Sequence, residues 1–328
     1  MITTVTWHQD VFATAVAEAV WAPSIHNSQP WRFRRTAHGI DVLLDRGRIL
    51  PVSDPTGRAA RVSCGAAAGN LMLALAIAGT PAVAAFGHDD TAVRLVPDLD
   101  RPPTPLERRL HRQIRRRHTN RSAFAETRIE PGIVTELKAS VAHGGGWLDF
   151  AEDEQSLTTL AGLIRQADTQ LRADAGYVAE LRAWSETADL AVEGVGPRAA
   201  GTAPHPAELM TRRDFGGPER DETHDPTRTP VVAVFGVHGD HAADEVRAGL
   251  VLQHLLLLAA DLGLAVAMYS QPIEVPAVRE TLRLALRRAH DPQLVLRFGY
   301  APMTCFTNRR PVADVIEPEA ADTGGPPR

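Results

Sequence analysis

Apolar residues recur every three or four positions in several long stretches of the chain, which is the spacing of an α-helix. The first such stretch is residues 10–21, with Asp10 as its expected N-cap. Two more, residues 58–78 and 244–262, are strongly apolar, and each is followed by a glycine. Polar residues interrupt the stretch 244–262, so it predicts a buried helix and not a membrane span.

Shorter apolar and β-branched runs between these helices predict strands. Residues 31–33 and 40–44 flank a turn near His38 and are expected to form a hairpin. The other predicted strands are residues 82–86, 93–96, 146–151, 231–237, 264–269 and 294–300. The other predicted helices are residues 106–117, 156–184 and 276–289.

One arrangement of these elements occurs twice along the chain, and we call this repetition the internal echo. The helices at 58–78 and 244–262 both end at a glycine and lead into a strand, which suggests two related halves. Residues 98–105 form a proline-rich connector. Residues 191–228 are rich in glycine, proline and charge, and a connection this long is usually functional or disordered. The Gly- and Pro-rich tail from residue 320 is expected to be mobile.

Composition narrows the class of protein. The chain has 328 residues, of which 44% are hydrophobic, and a net charge of −5. That charge argues against general nucleic-acid binding, which needs a basic domain. The N-terminus has neither the basic nor the apolar region of a secretory signal. The two cysteines suit a reducing cytoplasm better than a disulfide framework. The composition therefore predicts a cytoplasmic protein that does not span a membrane.

A polar stretch, residues 22–33 (APSIHNSQPWRF), separates the first helix from the first strand. Its serine, histidine and asparagine side chains offer hydrogen-bond donors and acceptors at short reach. Two interpretations are open: a ligand-binding loop, or a helix end whose side chains satisfy their own backbone. The stretch alone favours the second interpretation.

Two basic segments are candidates for phosphate binding. Residues 115–121 (RRRHTNR) follow a predicted helix, and residues 308–311 (NRRP) follow the last strand. Arginine binds phosphate through a planar fork of N–H groups. The alternatives are a solvated basic surface and, because aromatic residues are not interleaved with the arginines, a less favoured nucleic-acid site.

The sequence gives little support for a nucleotide-binding, nucleophilic or metal site. No dinucleotide fingerprint, P-loop or nucleophile elbow follows a predicted strand. The metal-capable residues in 87–90 (GHDD) and 238–241 (HGDH) lie on predicted turns, where solvated loops are the favoured interpretation. The sequence therefore predicts no metal site and identifies no catalytic acid, base or nucleophile.

Taken together, these segments resemble the motifs of the nitroreductase family of flavoproteins. APSIHNSQPW resembles the flavin-contacting loop of that family, RHTNRSAF at 117–124 its basic motif, and NRRP its C-terminal basic pair, while Asn70 corresponds to a helix asparagine. Ordinary nitroreductases carry every motif in each chain of a homodimer. Here each half of the chain lacks what the other has, as in the Acg-type flavoproteins of actinobacteria, where one chain is similar to a fused, degenerate nitroreductase pair.

The resemblance implies an α+β, nitroreductase-like fold with antiparallel-rich central sheets packed by helices. Two pseudo-symmetric halves, residues 1–100 and 101–319, would then resemble a nitroreductase dimer, followed by a mobile tail at 320–328. The second half would include a lid at about 191–228. One flavin loop and one basic motif make one complete site, so we expect one FMN per chain and a monomer.

The resemblance also assigns residues to the flavin site. Ser24 and Asn27 would hydrogen-bond the flavin or its ribityl chain, and Arg117, Arg309 and Arg310 would hold the phosphate. The full set of implied cofactor-binding residues is Ser24, His26, Asn27, Asn70, Arg117, His118, Thr119, Arg121, Gln271, Pro272, Ile273, Glu274, Arg309 and Arg310.

Three further roles follow from the same resemblance. Asn70 would reach the flavin from its helix, and Arg121 would lie at the pyrimidine edge of the ring. Residues 270–274 (SQPIE) resemble the segment that packs on one ring face. A backbone N–H of Ile273 or Glu274 would approach the flavin N5.

The function implied is hydride transfer from NAD(P)H through FMN to a small-molecule acceptor: a nitroaromatic, a quinone or a flavin. No nucleic acid or membrane partner is expected. The alternative is a non-enzymatic protein that binds, sequesters or senses FMN beneath a lid closed over the site.

Overall fold

The structure is a computed structural model that describes residues 7–87, 90–98, 101–185, 191–205, 208–218, 230–302 and 306–318. The predicted tail at 320–328 lies outside the described residues. So do residues 206–207 and 219–228 of the predicted lid.

Helices and strands are interspersed along the described chain. The helices are α1 (Gln9–Ala19), α2 (Arg58–Ile77), α3 (Pro105–His111), α4 (Pro131–His143), α5 (Glu154–Ala173), α6 (Ala175–Ala183), α7 (Pro197–Ala200), α8 (Ala242–Asp261), α9 (Gln271–Glu274) and α10 (Pro276–Ala285). The strands are β1 (Trp31–Thr36), β2 (Gly39–Leu44), β3 (Ala82–Phe86), β4 (Thr91–Pro97), β5 (Gly146–Phe150), β6 (Val231–Val237), β7 (Ala265–Tyr269) and β8 (Pro292–Gly299).

The strands form two four-stranded antiparallel sheets with the same internal order, β1-β2-β4-β3 and β5-β6-β8-β7. In each sheet a long apolar helix, α2 or α8, connects the second strand to the third. The predicted α+β class is confirmed, and the echo in the sequence corresponds to this repeated arrangement. Among the described residues α2 is long and apolar enough to cross a membrane, but 67% of that stretch is buried inside the protein.

The two long helices make the closest contact between the halves. Gly65 and Gly249 are each the eighth residue of their helix. A Cβ atom added at Gly65 would lie 2.0 Å from the carbonyl oxygen of Val246, and one added at Gly249 would lie 2.0 Å from that of Val62. Only glycine permits backbones to approach this closely. Equivalent positions of α2 and α8 therefore meet at one crossing.

The outer strands β1 and β7 each gain a hydrogen-bonded neighbour from far along the chain. Phe33 in β1 donates to the carbonyl of Val315 at 2.7 Å, and Glu317 donates to the carbonyl of Phe33 at 2.8 Å. Asn120 donates to the carbonyl of Val266 in β7 at 2.8 Å. These segments protect two sheet edges. They also bring both basic segments of the chain beside the loop 22–33.

Most predicted elements are confirmed, including the hairpin of β1 and β2, but several helices differ from the prediction. The predicted helix 156–184 is two helices, because Asp174 has non-helical φ and ψ of −88° and 113° and its carboxylate accepts a hydrogen bond from the N–H of Gly176. The N-cap of α1 is His8, and Asp10 lies in the first turn.

Helix α4 was not predicted, although its buried residues Leu137 and Val141 show helical spacing. The predicted helix 106–117 is also too long, since α3 ends at His111. Beyond it the chain tightens into turns, where Ile114 donates to the carbonyl of His111 at 3.1 Å. Charge and helix propensity favoured the longer helix, whereas packing ends it early.

The crossing predicts different effects for two glycines, one on each long helix. Gly249→Ala should lower the free energy of unfolding by about 2–3 kcal/mol, because the new methyl meets backbone and the overpacking cost exceeds the gain in helix propensity. Gly69→Ala should be neutral or stabilising by up to about 1 kcal/mol, since its Cβ would meet only ordinary contacts at 3.4 Å. Urea unfolding of both variants measures the difference, and equal stabilities would contradict the close crossing.

Candidate functional site

A large cavity lies between the two halves beside the crossing helices. It encloses about 460 Å³, and a smaller cavity of about 40 Å³ adjoins it. The walls come from the loop 22–33, α2, residues 119–121, the end of β7 with α9, and the 191–218 segment (described at 191–205 and 208–218). The two cavities share Pro23, Ser24, Thr119, Arg121 and Met268. The larger volume is in the range of small-molecule and cofactor sites.

The loop 22–33 has left-handed backbone at three residues, with φ of 47° at His26, 56° at Asn27 and 51° at Gln29. Side-chain-bearing residues rarely adopt this conformation, and the surrounding structure must hold it in place. The Ser24 hydroxyl accepts a hydrogen bond from the Gln29 N–H at 3.0 Å. Asn27 Nδ2 donates to the carbonyl of Gly194 at 3.1 Å. The loop is therefore held by distant chain as well as by its own backbone.

Three arginines from the two basic segments line the smaller cavity: Arg117, Arg121 and Arg309. Arg117 is buried, and its Nη2 donates only a long hydrogen bond, 3.4 Å, to the carbonyl of Trp21. Arg309 Nη1 donates to Asn27 Oδ1 at 3.1 Å. Within the described parts of the chain, none of the three forms an ion pair with a carboxylate.

We call Arg117, Arg121 and Arg309 the triad, and keeping their positive charges together in the protein costs free energy. Burial lowers the pKa of Arg117 to about 10. Burial, followed by the charges of Arg117 and Arg213, lowers the pKa of Arg121 to about 10. Burial, followed by Arg117 and Arg121, lowers the pKa of Arg309 to about 9. Buried cations are normally paired, so this triad is suited to an anion supplied from outside the chain.

His118 and Thr119 lie beside the triad. Both line the smaller cavity, and Thr119 lines the larger one as well. The His118 ring packs edge-on against Phe306 with centroids 5.4 Å apart. Burial is the main cause that lowers the pKa of His118. The ring is therefore a neutral neighbour of the arginines at pH 7.

His26 lines the larger cavity and contacts the 191–218 segment there. Burial, then the charges of Arg213 and Arg121, hold the pKa of His26 well below its usual value, so its Nε2 accepts a hydrogen bond from Arg213. The Phe215 ring packs edge-on against His26 at 5.8 Å and lies beneath the Arg121 guanidinium at 5.2 Å. Arg213 also forms a buried ion pair with Glu274 at 2.7 Å.

Asn70 does not reach either cavity, contrary to the role implied for it. It is fully buried between helices: its Nδ2 donates to the carbonyl of Glu18 at 3.2 Å, and its Oδ1 accepts from Gln253 Nε2 at 2.6 Å. Both ends of the amide are used in packing α2 against α1 and α8. Its position on the helix turns it away from the cavity wall.

Arg310 also points away from the cavities, so the basic pair is divided. Its Nη2 donates to the carbonyl of Asp314 at 2.8 Å, and its backbone N–H donates to Gln29 Oε1 at 2.9 Å. Successive side chains of extended chain point to opposite sides. Arg309 therefore faces the smaller cavity, and Arg310 fastens the C-terminal segment to the loop 22–33.

The segment 270–274 lies at the larger cavity but differs from expectation. Ile273 and Glu274 line the wall, whereas Gln271 and Pro272 are buried behind it. The N–H groups of Ile273 and Glu274 both donate to the carbonyl of Ser270, at 2.8 and 3.0 Å. These two N–H groups belong to the turn of α9, so neither is free to bond a ligand.

Sequence reasoning missed several wall residues. Met268 lies in β7, and Arg213 and Phe215 come from a stretch whose composition indicated only a long connection. No periodicity marks the last two, because their positions depend on where the 191–218 segment folds back. In the described residues no group of three or more His, Cys, Asp or Glu side chains is placed to hold a metal ion.

Comparisons with known proteins give the family. No family model matches the chain. The protein provisionally named NAD(P)H nitroreductase acg, from Mycobacterium tuberculosis H37Rv, is 29% identical over 325 residues, covering 95% of this chain and 97% of that protein. A second H37Rv protein with a provisional NAD(P)H nitroreductase name is 30% identical over 315 residues, covering 93% and 90%. The chain belongs to the nitroreductase family, in its Acg-type group.

Solved nitroreductases are more distant. The FMN-dependent nitroreductase NfnB from Mycobacterium smegmatis, in complex with NADPH, is 17% identical with a TM-score of 0.38, covering 68% of this chain and 100% of that chain. A nitroreductase from Desulfitobacterium hafniense with bound FMN is 11% identical with a TM-score of 0.40, covering 65% and 98%.

The unpaired triad predicts that Arg117→Met stabilises the ligand-free protein by about 1–4 kcal/mol, because it removes a buried charge that has no counter-ion. Urea unfolding at pH 7 measures the gain. Arg115→Met is the control: Arg115 is exposed, pairs with Glu18 and lines neither cavity, so its effect should stay within about 1 kcal/mol.

The stability that Arg117→Met adds depends on pH. The folded-state pKa of Arg117 is lowered to about 10, so the native state carries the unfavourable charge below that pH and loses it above. The advantage of Arg117→Met should therefore be full at pH 7 and smaller above pH 10. A variant less stable than the wild type at pH 7 would contradict the unpaired-charge assignment.

Proposed function

We propose that the protein binds FMN between its two halves and acts as an NAD(P)H-dependent oxidoreductase, passing electrons to a nitroaromatic, quinone or flavin acceptor. One observation carries the proposal: three buried or partly buried guanidinium groups, which have no carboxylate partner among the described residues, line a cavity beside a cofactor-sized space. The provisional nitroreductase names of the relatives support it.

The donor set fits FMN. The phosphate would lie against Arg117 and Arg309, with Thr119 nearby to reach the ribityl chain. Ser24 and Arg121 line both cavities and would contact the ring where it joins the chain. When bound, FMN accepts hydride and delivers electrons, while the protein binds, orients and shields it.

We also propose one FMN per chain and a monomer, with the halves divided near residue 100. In the first half eleven residues separate α1 from β1, and they include the flavin loop. In the equivalent place of the second half, α4 passes into β5 through Gly144 and Gly145 alone. That turn has no room for a second flavin loop. The cysteine usage favours the cytoplasm.

Binding of FMN and of riboflavin tests the phosphate assignment. Arg309→Met should weaken FMN binding by roughly 10- to 150-fold, the effect of losing a charge-assisted hydrogen bond, and should leave riboflavin binding nearly unchanged. Arg310→Met is the matched control, because that guanidinium lines neither cavity. Calorimetric titration measures both affinities and the stoichiometry. Equal losses for the two variants, or two FMN per chain, would contradict the proposal.

A second candidate function, FMN sequestration or sensing, rests on a specific contact. Arg213 and Glu274 form an ion pair whose side chains are only 6% and 5% exposed, and Arg213 also bonds His26. Together with Phe215, this latch holds the 191–218 segment as a lid over the larger cavity. A lid that stays shut would prevent nicotinamide from approaching the flavin.

Anaerobic mixing with NADPH distinguishes the two functions. Arg213→Met leaves Glu274 buried and unpaired, which costs about 3–5 kcal/mol in the closed state and should favour opening. If the lid limits reduction, the oxidised-flavin absorbance should fall at least about tenfold faster in Arg213→Met than in the wild type. Arg198→Met, at an exposed site on the same segment, should react like the wild type. Rapid wild-type bleaching that Arg213→Met does not accelerate would contradict the latch.

A further inference from the structure

The larger cavity has a second opening, away from the 191–218 segment. Four of its lining residues are exposed: Pro55, Thr56, Asp240 and Pro276. All four lie around the N-terminal end of α2. The lining residues supplied by the 191–218 segment are instead half-buried. Solvent therefore reaches the cavity from the α2 side even while the lid is closed.

One face of α2 forms the wall that leads inward from this opening. Ala59, Val62, Ser63 and Ala66 line it, at intervals that place them along the same side of the helix. The rise of 1.5 Å per residue makes this wall about 10 Å long. Small side chains dominate it, so the helix leaves space beside it rather than filling that space. We name this space the α2 passage.

The rim of the α2 passage carries arginines, but unlike the triad they are paired. Arg58 and Arg279 both contact Asp291, each at 3.0 Å. Arg61 pairs with Glu245. Two of these arginines share one carboxylate, but Asp54 and Asp240 also line the cavity, so four carboxylates accompany the three arginines. In the described part of the chain, the rim therefore offers no excess positive charge to an incoming anion. The two ends of the cavity system therefore differ in charge: the triad selects an anion, whereas the rim does not.

We propose that the α2 passage admits the electron acceptor and selects uncharged molecules such as quinones over anionic analogues. The inference rests on the proposed oxidoreductase function. The reaction served is NAD(P)H + H⁺ + quinone → NAD(P)⁺ + hydroquinone, in which two electrons and two protons reach the quinone. The same rim disfavours the anionic dinucleotide, which would approach from the lid side.

Blocking the passage tests the proposal. Ala59→Trp places a large side chain at the partly exposed start of the α2 wall. Ala243→Trp is the matched control, because Ala243 is the second residue of α8 as Ala59 is of α2, is also partly exposed and lines neither cavity. The probes are 2-methyl-1,4-naphthoquinone and 1,4-naphthoquinone-2-sulfonate, titrated calorimetrically into FMN-loaded and FMN-free protein.

We expect Ala59→Trp to weaken binding of the neutral quinone by at least about tenfold and to lower kcat/KM for it equally. FMN affinity and the rate of flavin reduction by NADPH should not change, and Ala243→Trp should match the wild type throughout. The sulfonate should bind the wild type at least about tenfold more weakly than the neutral quinone. Equal quinone binding by wild type and Ala59→Trp, or equal binding of the two quinones by the wild type, would overturn the inference.

The experiment separates this inference from the proposed function. Failure of the wild type to bind FMN would refute the flavin proposal, whereas the quinone titration of FMN-free protein reports on the passage itself. Thermal unfolding of both tryptophan variants shows that any loss does not arise from misfolding. If Ala59→Trp unfolds at a lower temperature, Ala59→Leu provides a smaller block, for which a weakening of quinone binding intermediate between wild type and tryptophan variant is expected.

Discussion

The contact between Gly65 and Gly249 is the constraint on which the rest of the molecule depends. Backbone meets backbone at that point, so α2 and α8 cross more closely than side chains would allow. Each helix connects two strands of a different four-stranded sheet. The crossing therefore fixes how the two halves face one another. Both walls of the larger cavity, the small-residue face of α2 and the end of β7, owe their separation to it.

Charge distinguishes the two ends of the cavity. Among the described residues, Arg117, Arg121 and Arg309 converge without carboxylate partners. Burial lowers the pKa of each, and neighbouring arginines lower the pKa of Arg121 and Arg309 further. At the other end, the three rim arginines are balanced by Asp54, Asp240, Glu245 and Asp291. The protein thus retains an unfavourable cluster of positive charge only where an anion would relieve it, as expected of a binding site and not of a stabilising network.

Sequence patterns predicted the elements with strong periodicity and the residue types of the site. The hairpin, the two central helices and all eight strands were found in this way, and so were the loop at 22–33 and the arginines. Elements whose limits depend on packing were not, such as α4 and the early end of α3. The resemblance also overreached at Asn70 and Arg310, since a motif names a position in sequence but not the direction of its side chain.

The sequence by itself determined which side chains were present for the chemistry, because spacing and residue type are local properties. It also contained the echo of two halves, each with a long apolar helix. Only the tertiary structure decided that Arg309 faces the cavity while Arg310 does not, that the C-terminal segment joins the edge of β1, and that Arg213 folds back onto Glu274. These outcomes depend on contacts between residues far apart in sequence, which local patterns do not encode.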